Sequence, residues 1–186
     1  HNLSADELKE LRGVIMKEAL ANGEKKPADA WSRFEKALEI DGTLRSFAQA
    51  GIKAVYHACD VGNRDQLAKV LDEVRAADGP ITGIIHGAGF ERATRFDKKL
   101  PELVERTVAS KVDGAAALME LTQNDPIVCF ALFGSVSGRF GGVGQTDYCA
   151  ANDMLAKLAS WYRQKRPACR TSCFHWHAWD DVGMAV

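Results

Sequence analysis

The sequence lacks an excess of charge of either sign, and it lacks a long hydrophobic run. Its 186 residues include 24 basic and 25 acidic side chains, for a formal net charge of −1. A near-neutral chain offers no electrostatic surplus for nucleic acid, and no apolar run approaches the roughly 18 residues of a membrane span. The opening HNLSADELKELR has neither the basic nor the apolar region of a signal peptide. We therefore expect one soluble, cytoplasmic globular domain without a nucleic-acid or membrane partner.

The sequence also lacks the cysteine pattern of a disulfide framework or a common zinc site. Its five cysteines are an odd number spread along the chain, unlike the paired cysteines of disulfide-rich domains. The spacing of Cys169, Cys173, His175 and His177 matches no common zinc motif. We therefore predict free cysteines, a reducing compartment and no metal site.

The pattern of apolar residues predicts helices first and then alternating strands and helices. Residues 4–50 predict two helices, the first capped by Ser4 and Glu7 and the second, over 27–50, ended by Gly51. Beyond them we predict strands at 52–59, 81–85, 127–133 and 170–176, and helices at 65–77, 101–123 and 147–165. Such alternation is typical of a parallel, doubly wound α/β sheet. We accordingly divide the chain into a helical insertion or linker region, 1–51, and a Rossmann-like region, 52–186.

A glycine-rich turn of the form GxGxxG is absent before the predicted strand at 52–59. A dinucleotide-binding sheet opens with a strand, such a turn, and a helix whose N-terminus receives the pyrophosphate. We therefore expect a Rossmann-like sheet that is incomplete in this chain, with the first βαβ unit missing. The remaining part of the same domain is then an expected partner, because the first strand of such a sheet lies centrally.

Four polar residues are predicted to converge at one edge of the sheet. Ser135 follows the apolar strand at 127–133, where open α/β sheets bind ligands. Tyr148 and Asn152 are four residues apart on one predicted helix and so share a face, and Lys111 lies on the helix predicted beside it. Taken singly, each is equally consistent with a solvated surface residue or a turn former.

Together, these four residues suit the protonation of a developing alkoxide. Ser135 would hydrogen-bond a substrate carbonyl, and Tyr148 would donate the proton. A phenol has an ordinary pKa of about 10, so we expect the charge of Lys111 to lower the pKa of Tyr148. Asn152 would help to hold Lys111 and a chain of water molecules.

Six motifs carry a family resemblance: ACDV, IIHGAG, SKVDG, FGSVSG, GQTDYCAAN and WHAWDDVGMA. Together they resemble the ketoreductase domain of modular and iterative polyketide synthases, a branch of the short-chain dehydrogenase/reductases. In that branch the order is Lys, Ser, Tyr, with Asn four residues after Tyr, whereas ordinary members carry YxxxK. The helices of 4–50 look like an insertion in the ketoreductases of polyunsaturated-fatty-acid synthases.

The resemblance implies residue roles and partners. The catalytic set would be Lys111, Ser135, Tyr148 and Asn152. The cofactor residues would be Asp60 and Val61 beside the adenine, and the backbone of Gly87, Ala88 and Gly89. The implied cofactor is NADPH, and the implied substrate is a β-ketoacyl thioester on an acyl carrier protein, with other synthase domains as partners.

Several alternatives stay open at the level of sequence. NADPH rather than NADH rests on the family alone, because no matching residue for the 2′-phosphate is found. The loop Phe90–Thr94 lacks the Leu-Asp-Asp of one stereochemical class, and Phe140 stands where the other class has Trp. The alternative functions are a free-standing short-chain reductase of a small ketone and a non-catalytic structural subdomain of a synthase.

Overall fold

A computed structural model of the chain describes residues 4–179, so positions 180–185 of the WHAWDDVGMA motif lie outside the described residues. The chain divides into two compact units, His1–His57 and Ala58–Val186. The described part contains no helix that is both long and apolar enough to cross a membrane.

The first unit is a pair of helices, α1 (Ala5–Ala21) and α2 (Pro27–Gln49). The predicted capping box is confirmed: Ser4 Oγ accepts the backbone N–H of Glu7, and the Glu7 carboxylate accepts the N–H of Ser4. Buried Trp31 packs its ring on Phe34, 5.5 Å between centroids. Arg12 of α1 lies over the ring of Trp31, 5.9 Å from its centroid, so the two helices meet at this side chain.

Helix α2 ends as the sequence predicts, at Gly51. Gly51 adopts a φ of 71°, in the left-handed region that glycine enters without a steric penalty. The N–H of Ile52 then donates to the carbonyl of Phe47 at 2.8 Å. This pair of features is a Schellman motif, which supplies donors to carbonyls at the helix end.

The strand predicted at 52–59 is wrong, because the structure has no strand there. Ile52, Val55 and Tyr56 are all more than half exposed. An alternating apolar pattern forms a strand only where a neighbouring strand pairs with the backbone. None of the described strands pairs with this segment.

The second unit alternates helices and strands. Its elements in chain order are α3 (Arg64–Asp78), β1 (Gly83–His86), a 3₁₀ turn (Phe96–Lys98), α4 (Pro101–Val108), a π-helical turn (Ala109–Asp113), α5 (Gly114–Leu121), β2 (Cys129–Ser135), α6 (Ser137–Phe140), α7 (Thr146–Lys165) and β3 (Arg170–Trp176). The helix predicted at 101–123 is therefore interrupted by a π turn. The other elements of this unit lie within a few residues of their predicted bounds.

The three described strands form a parallel sheet of order β1-β2-β3, which confirms the predicted α/β class. Strand β2 is central, and its Phe130 and Leu132 are fully buried in one core with α3, α5 and α7. Because all strands are parallel, their carboxyl ends lie at one edge of the sheet. That edge holds His86 and Ser135.

The opposite face of the sheet is apolar and open to solvent in the part of the chain that the structure describes. Ile85 is 74% exposed, and Phe174 and Trp176 are also exposed. Phe133 contacts both of these rings, with centroids 6.5 and 5.6 Å away. The helices therefore cover one face of this sheet and leave an aromatic surface on the other.

Candidate active site

The four residues predicted as catalytic lie together at the carboxyl edge of the sheet. Ser135 is the last residue of β2, and Tyr148 and Asn152 lie in the first turns of α7. Lys111 lies in the π turn, with Nζ 5.6 Å from the ring centroid of Tyr148. The phenol of Tyr148 lies close enough to the side chains of Ser135 and Asn152 for both to lower its pKa. The structure thus places a hydroxyl, a phenol, an amine and an amide in one cluster.

Lys111 is buried, with 2% of the residue exposed. Its Nζ donates a hydrogen bond to the backbone carbonyl of Phe133 at 2.8 Å. Burial lowers the pKa of Lys111 from 10.5 to about 8, and Cys173 partly offsets that effect. The amine is therefore mostly protonated at pH 7 and loses its charge in the mildly alkaline range.

His86 holds the backbone of Lys111 in place. It is the last residue of β1, its imidazole is buried, and Nε2 lies 2.9 Å from the carbonyl oxygen of Lys111. Burial lowers the pKa of His86, so the neutral imidazole donates its Nε2–H to this carbonyl. The residue pattern does not single out His86, although the HGAG motif contains it, because only the fold brings this side chain to the π turn.

Ser135 sits at the point where β2 runs into α6. It is buried, and its Oγ accepts the backbone N–H of Ser137 at 3.2 Å. This contact uses only an acceptor of the hydroxyl, since the donor is the amide. This bond therefore leaves the O–H of Ser135 available to the Tyr148 phenol or to a substrate oxygen.

The phenol of Tyr148 has a pKa above its ordinary value, opposite to the lowering expected from Lys111. Burial is the largest cause; hydrogen bonds to Ser135 and Asn152 lower the pKa, and the charge of Glu91 raises it. Oxygen Oε1 of Glu91 is itself buried without a hydrogen-bond partner in the described residues. The ammonium of Lys111 donates to the Phe133 carbonyl, and its charge does not outweigh the effect of burial on the phenol. Tyr148 thus keeps its proton at neutral pH.

Asn152 is fully buried and faces the same cluster. Its Nδ2 donates to the backbone carbonyl of Tyr148 at 2.7 Å, while Oδ1 has no hydrogen-bond partner among the described residues. A Cβ at Gly138 would lie 3.0 Å from Cβ of Asn152, so glycine lets α6 approach α7 this closely. This buried oxygen can accept a hydrogen bond from a water molecule or from an N–H group that takes part in the reaction.

The residues predicted to contact the cofactor lie in two loops. Asp60 and Val61 precede α3; Asp60 is exposed, and its Oδ1 accepts the N–H of Gly62 at 2.9 Å. Gly87, Ala88 and Gly89 follow β1. The two loops are linked through α5, since a Cβ at its first residue would lie 3.1 Å from the Val61 carbonyl and 3.4 Å from the His86 ring.

These loops fit the edges of a nucleotide cofactor. Gly87 is exposed, and a Cβ there would reach only the ring of Phe133 at 3.6 Å, so this backbone is accessible. One carboxylate oxygen of Asp60 has no role in the turn and is available to a donor such as an exocyclic amine. In the described residues no group of three or more metal-ligating side chains is placed to hold a metal ion.

The chain matches the KR domain family over residues 13–181. It is 39% identical over 148 residues to polyketide synthase GfsB of Streptomyces halstedii, covering 80% of this chain and 3% of that protein. It is 31% identical over 151 residues to a polyunsaturated fatty acid synthase protein of a Thraustochytrium species, covering 81% and 5%. The chain thus spans only a few per cent of the length of these relatives.

A solved structure shares the fold. The ketoreductase domain from the bacillaene assembly line superposes with a TM-score of 0.73 at 32% identity, covering 78% of this chain and 36% of that one. The fold, the parallel sheet with its polar cluster and the match over 13–181 lead to one assignment. The chain belongs to the ketoreductase (KR) domain family of polyketide and related synthases, within the short-chain dehydrogenase/reductase fold.

Proposed function

We propose that this chain carries the catalytic residues of an NADPH-dependent β-ketoacyl reductase. Its substrate is a β-ketoacyl thioester on an acyl carrier protein in a polyketide or fatty-acid synthase, and its product is the β-hydroxyacyl thioester. The observation that supports this most strongly is the cluster of Lys111, Ser135, Tyr148 and Asn152 at the carboxyl edge of the sheet. The membership in the KR family supports the reaction class.

Each residue of the cluster has one task in this reaction. Ser135 donates a hydrogen bond to the ketone oxygen and orients it. Tyr148 donates its phenolic proton to that oxygen as negative charge develops; the raised pKa keeps the proton in place until an alkoxide, which is a stronger base, forms. Lys111 supplies positive charge near the phenolate that remains. Asn152 offers a buried acceptor on the route by which the phenol regains a proton.

Proteins of the KR family and the short-chain dehydrogenase fold use a nicotinamide cofactor, and NADPH is the one we propose here. When bound, it supplies the hydride that the ketone carbon accepts. The residues of this chain that would hold it are Asp60, Val61, Gly87, Ala88 and Gly89. The open backbone after β1 and the available oxygen of Asp60 support this placement.

We also propose that the open sheet face binds the remaining part of the same reductase domain, within a cytoplasmic multidomain synthase. The relatives are multidomain synthase proteins, and the face carries the exposed Ile85, Phe174 and Trp176. An apolar sheet face of this kind is ordinarily covered by helices in parallel α/β proteins. On this proposal, residues 1–51 are a helical insertion or linker, and 52–186 are the C-terminal part of the catalytic domain.

The test is Tyr148→Phe in the full-length protein, assayed by NADPH oxidation with a β-ketoacyl thioester on the acyl carrier protein. We expect loss of at least about 100-fold in kcat, in the range for removing a general acid. Tyr162→Phe on the same helix is the matched control, because it removes a hydroxyl far along α7. Tyr148→Phe with the wild-type rate would overturn the assigned role.

Two further measurements separate this function from its alternatives. Reduction of a small free ketone as fast as the carrier-bound thioester would favour a free-standing reductase. A wild-type protein that folds but reduces neither substrate would favour a structural subdomain. NADH in place of NADPH tests the choice of cofactor.

A further inference from the structure

Lys99 and Asp147 form a buried ion pair next to the proposed general acid. Lys99 Nζ lies 2.6 Å from Asp147 Oδ1, and their side chains are 7% and 6% exposed. This contact is an ion pair, and no donor among the described residues is aligned for a hydrogen bond to Oδ1. By comparison, the pair Arg95–Asp97 in the same loop is 77% and 57% exposed. Asp147 is the residue directly before Tyr148.

The pair ties the loop after β1 to the start of α7. Lys99 Nζ also donates to the carbonyl of Arg92 at 3.3 Å, within that loop. The N–H of Thr94 donates to the carbonyl of Gly144 at 2.9 Å, just before α7. The loop after β1 begins with the glycine backbone that is proposed to contact the cofactor. It is therefore bonded at two points to the start of α7, the helix that carries Tyr148.

Asp147 is also held from the side of α4 and from its own helix. The Oγ1 of Thr107, a buried residue of α4, lies 3.3 Å from Asp147 Oδ2. Burial opposes the charge of this carboxylate, but Lys99 and the neighbouring backbone N–H of Tyr148 hold the pKa of Asp147 below its ordinary value. The carboxylate thus lies between Lys99, α4 and the first turn of α7, directly before Tyr148.

A buried ion pair is a poor source of stability, because desolvation offsets most of the attraction. Removing one partner, however, leaves an uncompensated charge inside the protein. In some proteins such a pair instead specifies which arrangement the chain adopts. Here the arrangement in question is the first turn of α7, from which the phenol projects.

We propose that the Lys99–Asp147 ion pair is a positioning element that fixes the position of Tyr148 relative to the loop after β1. This inference rests on the proposed function, since it assumes that Tyr148 donates the proton. Lys99 and Asp147 act through Tyr148 and do not contact the reacting atoms. Their effect is on kcat, because the geometry of proton transfer tolerates little displacement.

The experiment is a double-mutant cycle in the full-length protein: Lys99→Met, Asp147→Asn and the double variant. We expect each single variant to lower kcat by about 100-fold, the size of effect that a displacement of about 1 Å produces, with KM changed by less than about threefold. The double variant removes both charges, while the oxygen of the substituted amide side chain still accepts from Thr107. It should recover at least about 10-fold in kcat over Lys99→Met.

Two controls separate positioning from simple loss of stability. Lys99→Arg keeps the charge and should retain kcat within about threefold, whereas Arg95→Met removes an exposed cation from the same loop and should leave kcat unchanged. Midpoints of urea unfolding for all variants show whether kcat follows stability. If Lys99→Met fails to fold, Lys99→Arg, Asp147→Asn and the double variant still give the comparison.

The outcomes distinguish this inference from the function on which it rests. Wild-type kcat in both single variants, or losses that simply multiply in the double variant, would overturn the positioning role while leaving Tyr148 as the general acid. A fall in unfolding midpoint with unchanged kcat would overturn it as well. Full activity of Tyr148→Phe would overturn the proposed function and this inference together.

Discussion

The hydroxyl of Ser137 donates a hydrogen bond to Oε1 of Gln145 at 3.1 Å. The hydroxyl of Ser135, two residues earlier, contacts the phenol of Tyr148. The two serines of the FGSVSG motif therefore serve different partners. Ser137 joins α6 to the segment before α7, and Ser135 faces the cluster at the sheet edge.

We predict that Ser135→Ala lowers kcat of ketone reduction by about 10–100-fold, because one donor to the developing oxyanion is lost. Ser137→Ala is the matched control and should change kcat by less than about threefold. Steady-state kinetics with the carrier-bound thioester measures both. A larger loss in Ser137→Ala than in Ser135→Ala would reverse the assignment.

Lys111→Met should remove activity and raise stability at pH 7. The difference between 10.5 and about 8 for the pKa of Lys111 corresponds to about 3 kcal/mol of cost for burying the charge. The lost hydrogen bond to Phe133 returns about 1 kcal/mol of that. We therefore expect the free energy of unfolding to rise by about 2 kcal/mol, measured by urea denaturation.

The pH dependence of this effect has a definite sign. The unfolded chain binds more protons than the folded one between pH 8 and 10.5, so wild-type stability gains from this group as the pH rises through that range. The advantage of Lys111→Met should therefore shrink from pH 8 to pH 10.5. An advantage that stays constant across this range would show that the amine is not buried as described.

His86→Ala should lower both stability and kcat. The substitution leaves a cavity and an unpaired carbonyl at Lys111, and we expect a loss of about 2–3 kcal/mol in the free energy of unfolding. His177→Ala, at an exposed position, is the control and should change stability by less than about 0.5 kcal/mol. Chemical denaturation at pH 7.5 measures the stability of both variants, and steady-state kinetics measures kcat.

Wild-type stability should also respond to His86 on acidification. Because burial lowers the pKa of His86 in the folded state, the unfolded chain takes up the proton first. The contribution of this residue is therefore complete above its ordinary pKa of 6.5 and is lost as the pH falls below that value. His86→Ala should show a weaker decline in stability from pH 7 to pH 5 than the wild type.

Gly138→Ala should destabilise the protein by about 1–3 kcal/mol and lower kcat. The new Cβ would lie 3.0 Å from Asn152 Cβ and from the Asp153 N–H nitrogen, so α6 or α7 must shift. Gly42→Ala in α2 meets no atom within 4 Å and should stabilise the chain by about 0.5–1 kcal/mol. Thermal unfolding of both variants measures these opposite changes in stability, and equal changes would contradict the prediction.

The sequence predicted the placement of the cluster because parallel strands end at one edge. The apolar run at 127–133 identified the central strand, and it placed Ser135 at that edge. The four-residue spacing of Tyr148 and Asn152 predicted one helical face, and the structure shows their hydrogen bond. These conclusions depend on local patterns and on the geometry of parallel sheets alone.

The features that the sequence did not predict depend on contacts between segments that are far apart in the chain. The strand predicted at 52–59 is absent because its pattern reflects burial that only neighbouring strands provide. The pKa of Tyr148 rises because the fold buries the phenol, which no motif reports. Lys99 and Asp147 lie far apart in the chain, and nothing in their spacing indicates that they pair.

The π turn at Ala109–Asp113 has a consequence for the length of this segment. Such a turn holds one residue more than an α-helical turn, and each residue of an α-helix advances the side-chain direction by about 100°. Deleting a single residue here would restore a regular helix and rotate Thr107 by that angle relative to Gly114. Thr107 would then lose its contact with Asp147, and Gly114 would lose its close packing against the Val61 carbonyl. The exact number of residues in this helix is thus as constrained as the identity of Lys111.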